Sequence, residues 1–256
     1  MKKIAATLFL VYSCLIAIAQ NSNTLTFLGI PVDGSEQAMK NKLKQKGFKE
    51  KYGYDCLTGQ FNGETVDVYI HTNHDKVDRI YVAFRPTTED EIRVKYNQLL
   101  AQFKNNNKYL DFYGNAEIPM NEDISNEIRV NHKRYEASFC YINPDLDINE
   151  EEITNRFLTA LSSTLSEEKK TNIITQLTAF LNSSERKKES MLSIITNELT
   201  YDSKFIVLLD VMKAAKSVIE SFSTGDVWFM IDENYGKFKI CLYYDNLANR
   251  PNGEDL

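Results

Sequence analysis

Apolar and polar residues alternate one by one along much of the segment from residue 54 to residue 84. Val66, Val68 and Ile70 fall on one side of an extended chain, and Thr, Asp, Tyr and His residues occupy the alternate positions. Such alternation predicts β-strands with one buried face. Asn62-Gly63 is typical of a tight hairpin turn. The segment is therefore predicted to form an antiparallel meander.

Helical spacing of apolar residues replaces this alternation on both sides of the meander. Met39 and Leu43 share one face of a predicted helix that ends near Lys46. Apolar residues at spacings of four, three and four predict a second helix from about Thr88 to Lys104. Strand character returns between residues 124 and 143.

From Ile148 to Phe222 helical periodicity dominates, and at Gly225 the strand pattern resumes and predicts a final hairpin. The fold class is therefore predicted as α+β. It consists of an antiparallel sheet with two packing helices, interrupted by an all-helical insertion of about four helices. The order of elements also fits a duplicated α-β-β-β unit.

The pattern divides the chain into four parts. Residues 1–19 are predicted to be a signal peptide, and residues 20–146 the first part of the α+β domain. Residues 147–224 are assigned to the helical insertion, and residues 225–256 to the hairpin that completes the domain. The insertion begins and ends in turn-like segments, where chains tolerate inserted domains.

The amino terminus has the layout of a secretory signal peptide. Lys2 and Lys3 form a basic start, residues 4–19 carry no charge, and Ala17-Ile18-Ala19 places small residues at the cleavage position. The apolar run is short for a bilayer span of about 20 residues. We therefore expect a periplasmic or extracellular mature chain without a transmembrane span. A retained anchor and lipidation at Cys14 are the alternatives.

The charge balance argues against nucleic acid as a partner. The net charge is −6, and cleavage of the leader would remove two lysines and no acid. Binding to a phosphate backbone requires clustered basic residues. The densest basic run, Arg186-Lys187-Lys188, is flanked by Glu185 and Glu189, which is typical of a solvated helix face.

Three cysteines would remain after cleavage: Cys56, Cys140 and Cys241. Their spacing matches no zinc-binding pattern, and an odd number leaves one thiol over from any disulfide. Cys140 and Cys241 lie in strand-like stretches and are the candidate disulfide pair. Three small buried side chains without a disulfide are the alternative.

His71, His74 and Asp75 are the candidate metal ligands, because imidazole and carboxylate groups together bind zinc or copper. They span a predicted turn, where polar residues are expected without a metal. The sequence has no glycine-rich phosphate loop and no GxSxG motif, so we expect no cofactor and no serine-hydrolase site.

Tyrosines are frequent in the predicted strands. A tyrosine on an exposed sheet face favours binding of a protein or a glycan, because the ring gives rigid contact area and the hydroxyl group can form hydrogen bonds. Packing of these rings beneath the helices is the alternative. The candidate binding residues are Tyr69, Tyr81, Tyr235, Tyr243 and Tyr244.

Residues 27–35, followed by a helix that ends in Lys46-Gly47-Phe48, resemble the mature start of an uncharacterised family of Bacteroides-type secreted proteins. Residues 57–61 and the ending at 240–249 fit the same pattern, whereas the helical stretch departs from it. The resemblance implies a periplasmic or envelope location and no particular activity. The α-β-β-β order is also similar to β-lactamase-inhibitor-protein and outer-membrane-assembly lipoprotein modules. Such modules bind proteins through an open sheet face.

The sequence thus predicts a secreted, non-enzymatic binding module of the bacterial envelope. Its expected partner is another envelope protein or a surface glycan. The alternative is an envelope hydrolase that acts on glycan, peptide or lipid. With 36 acidic residues, sequence alone cannot select the carboxylate pair that such an enzyme would need.

Overall fold

The computed structural model describes residues 24–112, 114–143, 149–162, 165–182 and 205–251. The predicted signal peptide, with Cys14, lies outside the described residues. So do residues 183–204, which include the basic run and much of one predicted helix.

The described chain contains ten strands and six α-helices. The strands are β1 (Thr26–Phe27), β2 (Ile30–Pro31), β3 (Lys49–Glu50), β4 (Leu57–Phe61), β5 (Glu64–Asn73), β6 (Lys76–Phe84), β7 (Tyr109–Leu110), β8 (Glu136–Tyr141), β9 (Gly225–Asn234) and β10 (Lys237–Asn246). The helices are α1 (Glu36–Gln45), α2 (Glu89–Lys104), α3 (Ile124–Arg129), α4 (Glu150–Ala160), α5 (Glu167–Asn182) and α6 (Phe205–Phe222).

Strands β3 to β10 form one antiparallel sheet in the order β3-β4-β5-β6-β10-β9-β8-β7. The predicted α+β class, an antiparallel sheet with packing helices, is confirmed. The final hairpin, β9 and β10, returns to the middle of the sheet, where β10 pairs with β6. The last part of the chain therefore joins the two halves of the sheet.

The sheet order agrees with the duplicated α-β-β-β unit expected from the sequence. One unit comprises α1 and strands β4, β5 and β6, and the other comprises α2 and strands β8, β9 and β10. The third strands of the two units, β6 and β10, are neighbours, and the remaining strands follow in mirrored order on either side. The pair Tyr81 and Tyr243 lies at this junction.

Helices α1 and α2 pack on one face of the sheet, which we call the inner face. A row of fully buried residues runs across this face through Val68, Val82, Leu242 and Phe229. The ring of Tyr96 on α2 meets the Phe229 ring edge-on at 5.0 Å between centroids. Because side chains alternate along a strand, residues one position away point to the opposite face, which we call the outer face.

Helices α4, α5 and α6 lie between β8 and β9 in the chain and share a second hydrophobic cluster. Leu110 on β7 and Ile142, just after β8, belong to that cluster, and Cys140 on β8 packs against it. Because Phe139 and Tyr141 belong to the inner core, Cys140 and Ile142 lie on the outer side of β8 and its extension. The described insertion helices therefore pack at one corner of the outer face. Among the described helices, none is long and apolar enough to cross a membrane.

Candidate functional site

The outer face carries four stacked aromatic rings on four adjacent strands, which we call the aromatic row. Tyr69 on β5 faces Tyr81 on β6, Tyr81 faces Tyr243 on β10, and Tyr243 faces Trp228 on β9. Successive ring centroids are 5.3, 4.8 and 3.9 Å apart, and successive planes differ by 20°, 12° and 10°. The row crosses the centre of the sheet, where the two α-β-β-β units meet.

The alternation of side chains explains why these rings form a row. Each of the four follows or precedes a buried inner-face residue, and register brings them to the same level of the sheet. Aromatic residues at directly opposed positions stabilise neighbouring strands by roughly 0.2–1 kcal/mol per pair. All four side chains are half-buried.

Stacking decides which parts of the rings solvent and ligands can reach. Each middle ring has a neighbour on both faces, so the row presents ring edges and tyrosine hydroxyl groups. Only the end rings, Tyr69 and Trp228, have a face that is turned away from the row. The row is therefore a narrow amphipathic ridge rather than a flat aromatic platform.

Asp245 lies on one side of the row and holds the Trp228 ring in position. Its buried carboxylate accepts hydrogen bonds from Arg79 Nε at 2.6 Å and Arg79 Nη2 at 2.7 Å, and from Trp228 Nε1 at 3.1 Å. The Arg79 guanidinium lies 5.4 Å from the centroid of the Tyr243 ring. The hydrogen bonds to Asp245 raise the pKa of Arg79. This charged pair holds the indole and limits its rotation.

A second buried carboxylate, Asp67, lies on the other side of the row. It accepts hydrogen bonds from Lys51 Nζ at 2.7 Å and from both terminal nitrogens of Arg85 at 3.0 Å. Desolvation opposes ionisation of Asp67, but the bond from Lys51 and the charge of Arg85 together lower its pKa. The row is thus flanked by two carboxylates that each have cationic partners.

The tyrosines of the row stay neutral at physiological pH. Burial, followed by a hydrogen bond with Cys241, raises the pKa of Tyr81 well above its ordinary value. The Tyr81 hydroxyl lies 3.2 Å from Cys241 Sγ. Burial also raises the pKa of Tyr243 to about 12. The row can therefore donate and accept neutral hydrogen bonds.

Among the carboxyl groups of the described residues, Asp226 is the one whose pKa is raised. It lies on β9 opposite Asp245 on one side and Cys140 on the other. Burial raises its pKa to about 6, with further contributions from the charges of Glu220 and Asp245. Glu220 belongs to α6, so Asp226 lies where the insertion meets the outer face.

An open cleft of about 590 Å³ adjoins the Trp228 end of the row. In the register of the sheet, Ser138 on β8 is the neighbour of Trp228 on the side away from Tyr243. The cleft therefore continues the row across the next strand. Its lining residues are Asn115, Glu136, Ala137, Ser138 and Trp228.

The structure brings three of the five predicted binding tyrosines together, since Tyr69, Tyr81 and Tyr243 all belong to the row. Tyr235 lies at the tip of the β9–β10 hairpin, where its side chain is 98% exposed. Tyr235 is seven positions beyond Trp228 in the chain, which is roughly 23 Å in extended backbone. The prediction that Tyr244 is a binding residue is wrong, because its side chain points to the inner face, is only 5% exposed and packs its ring on Phe27.

Sequence reasoning missed Trp228 as a member of the row. The signal was present, because Val227, Phe229 and Ile231 alternate as a buried set and place Trp228 on the opposite face. The hairpin register then sets Trp228 against Tyr243. A search for binding residues that includes tryptophan as well as tyrosine therefore finds all four members of the row.

The structure does not bring the predicted metal ligands together. His71 Nδ1 lies 2.7 Å from Asp78 Oδ1, so this imidazole pairs with a carboxylate on the adjacent strand. His74 and Asp75 form the β5–β6 turn, with φ angles of 48° and 61°. Within the described part of the chain, no three His, Cys, Asp or Glu side chains are grouped to hold a metal ion.

The candidate disulfide between Cys140 and Cys241 is not formed, because both are free thiols, in agreement with the alternative of three unbridged cysteines. Cys140 is on β8 and Cys241 is on β10, and β9 runs between them. Two inter-strand spacings place their Cα atoms at least about 9–10 Å apart, whereas a disulfide requires less than about 7 Å. Cys56 is also a free, buried thiol.

Comparison of the chain with protein-family models, with curated proteins and with solved structures finds no match. The described residues define an antiparallel sheet with helices on its inner face and a ridge of stacked aromatic rings on its outer face. A buried carboxylate with cationic partners borders the ridge on each side, and a cleft lies at one end.

Proposed function

We propose that this protein is a secreted, non-enzymatic binding module of the bacterial envelope that binds another protein through the aromatic row. The observation that carries the proposal is the row itself, four stacked rings on the sheet face opposite α1 and α2. The predicted signal peptide and the resemblance to Bacteroides-type secreted proteins support the envelope location.

The composition of the ridge favours a protein partner. Tyrosine, tryptophan and arginine are the residues most enriched among those that dominate interface energies. Stacking already restricts Tyr81 and Tyr243, so binding costs little side-chain entropy. The flanking Asp67 and Asp245 carry cationic partners, so the surface beside the row has no unpaired buried charge at these two positions. A partner with apolar and neutral polar groups fits this surface.

A tyrosine-bearing loop extends the contact area beyond the Tyr69 end of the row. Lys51 anchors the loop through Asp67, and its ammonium lies 4.5 Å from the centroid of the Tyr54 ring. Tyr54 is largely exposed and Tyr52 is fully exposed. These rings offer the amphipathic side chains that protein interfaces use.

The proposal predicts that Tyr81→Ala abolishes capture of the partner. Loss of one of the few aromatic residues that dominate an interface costs about 2 kcal/mol or more, which corresponds to about a thirtyfold loss of affinity. The measurement is crosslinking of the tagged full-length protein in intact cells of its native host, followed by affinity capture and mass spectrometry. Binding of the identified partner to purified variants then gives the change in affinity.

Tyr235→Ala is the matched control, because Tyr235 is an exposed tyrosine far from the row. It should capture the partner as well as the native chain does. Tyr81→Phe should retain most of the binding, since it keeps the stacked ring. Equal loss in Tyr81→Ala and Tyr235→Ala, or undiminished capture by a folded Tyr81→Ala variant, would rule out the row as the interface.

A further inference from the structure

The cleft beside Trp228 has the size of a ligand site and one aromatic wall. Its volume of about 590 Å³ lies within the roughly 300–1,000 Å³ of small-molecule sites. Residues of β8 and β9 line it together with Asn115. It lies on the outer face next to β8, at the end of the aromatic row.

Trp228 presents one free indole face to this cleft. Tyr243 covers the other face, with the ring centroids 3.9 Å apart and the planes 10° from parallel. Within the described residues, the neighbour on the free side is Ser138, whose side chain is too small to cover an indole. The hydrogen bond from Trp228 Nε1 to Asp245 fixes the orientation of that face. The cleft therefore has a preformed flat apolar wall.

The polar groups of the cleft favour an uncharged ligand. Glu136 forms a 2.9 Å ion pair with Arg134, and both side chains are exposed. The pair is neutral as a unit, yet it offers carboxylate acceptors and guanidinium donors at the rim. A phosphate ligand would meet the Glu136 carboxylate, and a cationic ligand would compete with Arg134 for it.

Asn115 closes the far side of the cleft without adding charge. Its side-chain amide donates to Asp111 Oδ1 and to the carbonyl of Ser138, and its amide oxygen accepts from Ser138 N. The side-chain amide of Asn115 therefore pairs with the backbone at the edge of β8, as the backbone of a neighbouring strand would. The groups that remain to orient a ligand are the Glu136–Arg134 pair and the Ser138 hydroxyl.

We propose that this cleft binds a neutral saccharide, with one sugar ring stacked on the free face of Trp228. The C–H groups of a pyranose carry slight positive charge and are attracted to the negative face of the indole. The sugar hydroxyl groups, which both donate and accept, match the Glu136–Arg134 pair. This inference extends the proposed binding role to a second site and shares only Trp228 with the protein-binding ridge.

The test uses Trp228 as its own reporter, because it is the only tryptophan in the chain. The purified mature protein is titrated with maltotriose, cellotriose and chitotriose while tryptophan emission is recorded. At least one trisaccharide should give a saturable change in emission, with a Kd on the order of 1 mM, as expected for a shallow site with few polar contacts. Choline chloride and inorganic phosphate serve as charged probes and should give none.

Two substitutions assign the response to the cleft. Ser138→Phe places a ring against the free face of Trp228 and should abolish the saccharide response, while phenylalanine remains favourable in a strand. Glu136→Gln keeps the shape of the side chain and should weaken binding about tenfold, as expected from loss of one charged hydrogen bond. Tyr81→Ala lies two rings away from the cleft and should bind saccharide normally.

The outcomes separate this proposal from the proposed protein-binding function. Ser138→Phe should lose saccharide binding but still capture the protein partner. Tyr81→Ala should lose the protein partner but still bind saccharide. Absence of a response to all three trisaccharides overturns the saccharide proposal. So does a response to choline or phosphate alone, or an undiminished response in Ser138→Phe. None of these results would affect the assignment of the ridge.

Discussion

Asp245→Ala is expected to lower the free energy of unfolding by about 2–4 kcal/mol. Removing one partner of a fully buried ion pair typically costs about 3–5 kcal/mol, because the other charge is left uncompensated. Asp245 is buried but the Arg79 side chain is about one-third exposed, so solvent screens part of that cost. The substitution also removes the acceptor of the Trp228 indole. Urea unfolding followed by far-UV circular dichroism measures the change.

Asp245→Asn is the matched variant for this experiment. Its amide oxygen can still accept from Trp228 or from Arg79, but it cannot neutralise the guanidinium. We therefore expect a smaller loss than for alanine, with Trp228 emission closer to that of the native protein. A stability of Asp245→Ala within 0.5 kcal/mol of the native value, the range of ordinary surface substitutions, would show that the pair contributes little.

The faces of the strands could be predicted because side-chain direction is a local property. Val66 and Val68 identify the buried face of β5. Tyr69 is the next residue after Val68, so its side chain has to point to the opposite face. The same rule shows that Tyr243 and Tyr244, as neighbours in one strand, cannot both face outward. Only one of these two tyrosines can therefore belong to an outward binding surface, and the burial of Leu242 and Tyr244 shows that it is Tyr243.

The order of strands could not be predicted in the same way, because it depends on contacts between distant segments. Cys140 and Cys241 both lie in strands, but β9 lies between β8 and β10 in the sheet and separates them. The pairing of β10 with β6, which joins Tyr81 to Tyr243, likewise links residues far apart in sequence. The row as a continuous feature is thus a consequence of topology rather than of any local pattern.

Turn chemistry accounts for the error about the metal ligands. His74 and Asp75 adopt positive φ angles, at which Asn, Asp and His are found more often than β-branched residues. Their residue types are therefore explained by the turn between β5 and β6. The carboxylate of Asp78 then lies within reach of His71 across the two strands.

Asp226→Asn is expected to stabilise the protein by about 2–3 kcal/mol above pH 6 and to have little effect near pH 4. Burial and the charges of Glu220 and Asp245 raise the folded-state pKa of Asp226 from its ordinary 3.8 to about 6. Each pKa unit corresponds to 1.36 kcal/mol. Between these two values the folded state binds more protons than the unfolded state, so the contribution of Asp226 to stability falls as the pH rises. An asparagine does not titrate and avoids this loss.

The relevant quantity is the difference between variant and native stability, measured by urea unfolding from pH 4 to pH 7. Other carboxylates, such as Asp67, have lowered pKa values and lose stabilising contacts in acid, but they are present in both proteins and cancel in the difference. Glu220→Gln removes a repelling charge while keeping Asp226, so it should give a smaller gain over the same pH range. If the stability difference between Asp226→Asn and the native protein did not depend on pH, the raised pKa of Asp226 would be contradicted. If that difference rises between pH 4 and pH 6, Asp226 is a proton-sensitive carboxyl group where α6 of the insertion meets the sheet, beside the aromatic row.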